Sequence, residues 1–192
     1  LLAGTGATSA AHLDLDGDGH VDVRIQLLRF YESGRAGSSG NFFDSDVPGF
    51  SISITVINPK STGSIKGTGT QSLPDPRYLS NPSDFEPLKK ALTFIIGMLQ
   101  SEAFSEIVDE IIDVDEIIND PKNFIKKNIY SGYHLIGGLS EFVDEDFKFK
   151  DFENLYICDA SVISSHPSSN IHAPVVLLSD VFAKRFAAEL LP

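Results

Sequence analysis

Tryptophan is absent from this 192-residue chain, and cysteine and methionine occur once each. With Cys158 alone, no intrachain disulfide and no cysteine-based metal cluster can form. A single cysteine suits a reducing compartment such as the cytoplasm without requiring one. Cations are scarce as well: 15 Lys and Arg stand against 27 Asp and Glu, a formal charge of −12. A nucleic-acid backbone or an anionic membrane surface calls for clustered Lys and Arg, so neither is an expected partner. No apolar run reaches the roughly 18 residues of a spanning helix. The chain opens on Leu1-Leu2-Ala3-Gly4 without an initiator Met or a basic leader, and it reads as part of a longer polypeptide. Hydrophobic residues, at 42%, are enough for a sizeable core. Phenylalanine, at fourteen against five tyrosines, makes up most of the aromatic share.

Strand signals dominate the first third. Residues 1–12 are small and Gly/Thr/Ala-rich and read as a loop. Gly4-Thr5-Gly6 half-matches a dinucleotide fingerprint, but no strand precedes it and its third glycine is absent. His12 to Leu28 reads as a hairpin, with alternating apolar residues on both sides of Gly17-Asp18-Gly19. Its turn, Asp14-Leu15-Asp16-Gly17-Asp18-Gly19-His20-Val21-Asp22, offers oxygens at positions 1, 3, 5 and 9 of a calcium loop and glycine at position 6. Ile25 stands where the bidentate Glu belongs, and strands flank the stretch where helices should. A calcium loop and an acidic hairpin turn are the two readings; the turn is taken and no metal ligand is assigned.

Residues 32–49 form a long loop, Ser51 to Asn58 a half-buried strand, Pro59 to Gly63 a turn, and Ser64-Ile65-Lys66 the start of another strand. Three prolines between Gln71 and Pro82 argue against regular structure there. Ser83-Asp84-Phe85-Glu86 is a capping box ahead of a helix with Leu88, Leu92, Ile95, Ile96 and Leu99 on one face. A second helix is expected over about 102–112, and a third over 113–128, breakable at Pro121. The class is α+β: an antiparallel sheet covered on one face by helices, followed by a short strand over Asn154–Cys158 and a closing helix from Pro174. That helix aligns Val175, Leu178, Phe182, Phe186 and Leu190.

The chemistry-bearing residues gather after residue 130. His134 precedes Gly137 and Gly138, where backbone can approach a ligand closely. An imidazole titrates near neutrality and suits a general base, but on these residues alone a histidine hydrogen-bonded within a core is the more ordinary reading. Asn170 sits just ahead of a helix start, where an amide could hold a reacting oxygen or simply cap the helix. Asp159, at the end of an apolar stretch, could accept from a ligand hydroxyl or cap a turn. Cys158 reads as a small core residue rather than a nucleophile.

Several stretches, in order, resemble the C-terminal part of the glucose-methanol-choline (GMC) flavin oxidoreductases. They are Asn58 to Ile65, Tyr78 to Asp84, Tyr133-His134-Leu135-Ile136-Gly137-Gly138, Phe152 to Ser161, and Pro167 to Pro174. The resemblance implies a substrate-binding domain over 1–130 and a segment over 131–192 that completes the FAD domain and active site. It implies an enzyme that oxidises a small-molecule alcohol, with hydride passing to FAD. His134 would be the base and Asn170 its partner on the alcohol oxygen. Asp159, Ala160, Asn170, Ile171 and His172 would contact FAD. Most of the cofactor would be held by an N-terminal region of the same protein, because the strand-linked Gly-x-Gly-x-x-Gly is not present here. Two further departures are Gly138 where many members have Thr, and Thr62 in a turn that usually reads Ser-Arg-Gly. The alternative is a non-catalytic binding module, or a subunit that needs a separate flavin-binding chain.

Overall fold

The structure is a computed structural model, and it describes residues 7–28 and 49–190. These fall into two compact units. The first comprises residues up to Val56 and Asn81–Gly132; the second comprises Ile57–Ser80 and everything from Tyr133 onward. This division follows packing, and it groups residues 57–80 with the C-terminal segment.

In the first unit, β1 (Ala7–Leu13), β2 (Val23–Leu28) and β3 (Ser51–Val56) form an antiparallel sheet in the order β1-β2-β3. Pairing sets Leu13 opposite Val23, Ile25 opposite Ile54 and Leu27 opposite Ile52, so one face is continuously apolar. Helix α1 (Phe85–Leu99) covers that face. Val23 and Ala91 are fully buried, with Ile25 and Ile95 beside them. Ala91 lies at the centre of the covering stripe: with no side chain beyond Cβ, it lets the helix backbone come close to the sheet. Leu92 and Ile96, expected on this stripe, flank it half-buried.

Four local expectations change in this unit. Residues 7–12, expected as loop, belong to β1, because ladder bonds to β2 override the weak strand propensity of Ala and Ser. The capping box is not formed. Asn81 accepts from the Ser83 amide at 3.0 Å and caps a 3-10 turn at 82–84, while Asp84 makes no side-chain cap bond to α1. The helix expected over 102–112 is a 3-10 turn at Glu102–Phe104 followed by irregular turns. The third helical stretch breaks at Pro121 into α2 (Val114–Asn119) and α3 (Pro121–Asn128), with Asp120 capping α3 by accepting from the Asn123 amide. The loop expected at 32–49 lies almost wholly outside the described residues.

The β1–β2 turn is organised by Asp14. Its two carboxylate oxygens accept from the amides of Gly17 at 2.7 Å and Gly19 at 2.8 Å, which holds its carboxyl below the usual carboxylate range. Asp22 accepts from the Leu15 amide at 2.7 Å and closes the loop. The carboxylates of Asp14, Asp16 and Asp18 offer oxygens within 4.8 Å of one another, all on exposed residues.

The second unit has little regular structure. Strands β4 (Ser64–Thr68) and β5 (Gln71–Asp75) make a separate hairpin, tightly turned at Gly69 with φ 64°. The stretch of three prolines therefore does contain a strand. Pro74 sits opposite Ile65 in a two-stranded, exposed ribbon, where a missing amide donor is tolerated. Gly63 enters the hairpin so close to its partner that a Cβ there would fall 2.1 Å from the Asp75 carbonyl oxygen. This crowding explains why the 59–63 turn ends in glycine.

From Tyr133 to Ile171 the chain is irregular. Asn154–Cys158, expected as a strand, is extended and makes one bridge, Tyr156 to Lys148. Helix α4 runs from His172 to Leu190, two residues earlier than expected. Its inward rings, Phe182 and Phe186, meet Phe147 and Tyr156 at centroid distances of 5.3–5.5 Å. Phenylalanine thus supplies this unit with a core that its sheet is too small to provide.

Candidate active site

All the residues singled out after position 130 lie in the second unit. The stretch carrying His134 is bent at both ends. Tyr133 has φ 60°, a left-handed conformation that is an outlier for a bulky aromatic, and Gly137 has φ 81°. Beyond the second bend the chain is fastened to the Asp159 turn. The Gly137 amide donates to the Ala160 carbonyl at 3.3 Å, and the Leu139 amide donates to the Ser161 carbonyl at 2.9 Å. A Cβ on Gly137 would stand 3.4 Å from the Ile163 carbonyl oxygen, an ordinary contact, so it is the bend that calls for glycine.

The Asp159 turn is rigid for its own reasons. Asp159 is extended, and its carboxylate accepts from the Ser161 amide at 2.8 Å, capping the 3-10 turn Ala160–Val162. This is the turn-cap alternative weighed above for Asp159. The cap engages one carboxylate oxygen and leaves the residue exposed, so acceptor capacity remains. Ala160 is half-buried, and its carbonyl accepts from both Gly137 and Ile163.

Within this scaffold two buried side-chain atoms have no hydrogen-bond partner among the described residues: Nδ1 of His134 and Oγ of Ser161. Buried polar atoms are rarely left so, and each points to a ligand or water that completes it. They belong to the two segments joined by the 137–160 and 139–161 bonds. The structure therefore joins the chain just after His134 to the 159–161 turn through backbone.

Asn170 follows a different element. It is exposed and lies two residues ahead of α4, whose first helical bond runs from the Val175 amide to the Ile171 carbonyl. Ile171 is half-buried and His172, the first helical residue, is exposed. Pro174 occupies the first turn, where its missing N–H leaves no bond unmade. The N-terminus of this 19-residue helix carries the positive end of the helix dipole, which suits an electron-rich group. His166 is engaged elsewhere, with Nδ1 2.8 Å from the Pro167 carbonyl oxygen. Cys158 is half-buried and its thiol lies 3.8 Å from the Leu178 carbonyl oxygen, as suits a packing residue.

Ser161 was not among the residues assigned from sequence. Its place in the Asp159-Ala160-Ser161 run was visible, but a serine in a turn is ordinary, and only its enclosure without a partner marks it out. The left-handed backbone of Tyr133 was equally invisible, since nothing in a tyrosine codon predicts φ.

Comparison with known proteins then adds an independent line. A family model described as GMC oxidoreductase matches residues 59–179. The chain is 29% identical over 158 residues to pyridoxine 4-oxidase of Microbacterium luteolum, covering 75% of this chain and 31% of that protein. It is 23% identical over 150 residues to the oxygen-dependent choline dehydrogenase of Vibrio vulnificus, covering 70% of this chain and 27% of that protein. The chain thus spans about a third of the length of these curated relatives. Among solved structures, pyridoxine 4-oxidase from Mesorbium loti superposes with a TM-score of 0.73 at 18% identity, over 95% of this chain and 38% of that one. Formate oxidase from Aspergillus oryzae, a structure concerned with FAD modification, gives 0.73 at 16% identity, over 89% of this chain and 32% of that one.

Proposed function

The chain belongs to the GMC oxidoreductase family, and from that premise we propose that it is the C-terminal part of an FAD-dependent enzyme that oxidises an alcohol, with His134 as the base. The observation that carries the reading is the fastening of the His134 segment onto the 159–161 turn, with the Ser161 hydroxyl buried where a ligand could complete it and the His134 ring enclosed at Nδ1. In this reading residues 1–130 contribute substrate binding and 131–192 complete the FAD site. An N-terminal region of the same protein would hold most of the cofactor.

The residues fit the cofactor on chemistry as well as sequence position. Asp159 has a free acceptor for a hydroxyl, and Ala160 presents backbone. Asn170, Ile171 and His172 surround a helix N-terminus that favours an electron-rich ring edge. FAD, when bound, supplies the acceptor for the hydride that leaves the carbinol carbon. His134 takes the alcohol proton. With Nδ1 enclosed, Nε2 is the nitrogen that serves, and Nδ1 needs its own partner to fix the ring. Asn170 holds the same alcohol oxygen through its side-chain amide. Pyridoxine and choline, named for two relatives, are both small alcohols, and a small alcohol is the proposed substrate class.

The test is the flavin-loaded, full-length protein mixed with an alcohol substrate without oxygen, reading loss of the oxidised flavin absorbance. His134→Ala should slow reduction by about 10²–10⁴-fold. Asn170→Ala should slow it on the order of 10²-fold. Reduction at the parent rate in His134→Ala would remove the base assignment, and absence of reduction in the parent with small alcohols would leave a binding module in its place.

A further inference from the structure

We infer that Tyr133 is a positioning residue for His134, and that its backbone, rather than its ring, does the positioning. The inference rests on His134 being the base.

Tyr133 adopts φ 60°. An L-residue pays for that conformation in every molecule, because Cβ crowds the following carbonyl oxygen. Such strain persists where the surroundings enforce it; Arg77, Leu79, Asp113 and Phe147 share the left-handed region, and Tyr133 is distinguished by standing next to His134. Here burial of the side chain does not explain it: Tyr133 is 79% exposed, the highest exposure among the large hydrophobic residues described. A glycine would adopt the same backbone without strain, and glycines occur at 132, 137 and 138 around it.

What the left-handed turn achieves is direction. It bends the chain one residue before His134, while the 137–160 and 139–161 bonds fix the chain a few residues after. The imidazole is therefore held between a bend and a clamp, and its Nδ1 is buried with no hydrogen-bond partner among the described residues. A general base has to meet its proton at a hydrogen-bonding distance, and a displacement of about 1 Å can cost on the order of 10²-fold in rate. A stiff residue in the bend keeps the approach angle fixed, whereas glycine would let the segment sample both hands of φ.

Three variants of the flavin-loaded, full-length protein separate backbone from ring. Tyr133→Phe keeps strain and ring, Tyr133→Ala keeps strain alone, and Tyr133→Gly relieves it. In thermal or urea unfolding, Gly should be more stable than Ala by roughly five-fold in the unfolding constant, the reverse of an ordinary position. In kinetics, Gly should lower kcat about ten-fold with KM nearly unchanged and shift the pH profile of kcat/KM, while Ala and Phe stay within about two-fold. The ring resonances of His134 in NMR should broaden in the Gly variant only. Equal losses in Ala and Gly would place the effect in the ring and overturn the inference; so would a Gly variant with the parent's kcat and pH profile. If Gly does not fold, Tyr133→Asn is the second variant, since Asn tolerates the left-handed region and should fall between Ala and Gly. Full activity in His134→Ala removes the reading beneath the inference; a slow His134→Ala with an unaltered Gly variant defeats the positioning role alone.

Discussion

The two units of this chain are held by different means. The first is a sheet with a helix on its apolar face, and its buried residues, Val23, Ile25, Ala91 and Ile95, form one cluster. The second has a two-stranded hairpin with no buried residue in β5, a long irregular stretch, and a helix stabilised by stacked and edge-on aromatic rings. It also leaves large apolar side chains exposed: Tyr133, Ile65, Leu73, Val176 and Leu177. Every candidate functional residue lies in this second unit. The difference teaches that regular packing supplies the platform, while the site is built where backbone hydrogen bonds and bends, rather than sheet ladders, place the groups.

The sharpest way to break that comparison is to remove equal amounts of apolar side chain from each unit. Ile95→Ala opens a cavity in the first unit's core and should destabilise by about 2–5 kcal/mol in urea unfolding. Leu177→Ala, at a 65% exposed position, should stay within about 0.5 kcal/mol. Similar costs for both would mean that the second unit is packed as the first is. The hairpin offers a middle case. Gly63→Ala forces a Cβ against the backbone of Asp75 and Pro76 and should cost about 1–3 kcal/mol, read as a lowered melting temperature. A neutral result would mean that the 59–63 turn can shift freely.

Ser161→Ala sharpens the comparison from the other side. Its hydroxyl is buried without a partner among the described residues, so without flavin the substitution should be neutral, or stabilising by up to about 1 kcal/mol. Flavin titration of the full-length protein should then show weaker binding in the variant; unchanged affinity would mean that the hydroxyl meets no ligand. The smallest effect belongs to the β1–β2 turn. The Gly19 and Gly17 amides lower the Asp14 carboxyl, so its contribution is present above the ordinary value of 3.8 and is lost as pH falls through the lower folded value. Amide exchange at Gly17 and Gly19 should accelerate only in that acid range, and acceleration near neutrality would contradict the carboxylate's role.

Much of the first unit was legible because its signals are periodic. Alternation in residues 23–28 and 51–56 marks strands, and spacing from Leu88 to Leu99 marks a helix. What was misread there is instructive. Residues 7–12 lack strand propensity and are strands only because β2 supplies partners, while 102–112 has helical spacing but exposes Ile107 at 68% and finds no surface to pack on. In the second unit, Pro74 hid a strand because an edge ribbon forgives a missing donor. His134, Asp159 and Asn170 are proposed from their motif context, since each residue alone reads more readily as a cap or a core histidine than as a catalytic group.

By itself the sequence determined the class of elements, the family, and the residue types that could carry an alcohol oxidation. Those follow from local periodicity and from an ordered series of motifs, which the linear chain contains in full. The tertiary structure alone decided that Gly137 and Leu139 bond to Ala160 and Ser161, that Nδ1 of His134 and Oγ of Ser161 are enclosed without partners among the described residues, and that Tyr133 is bent left-handed. The reason is physical. A buried atom's missing partner and a strained φ are properties of what surrounds a residue, set by segments more than twenty positions away, and no local pattern encodes them.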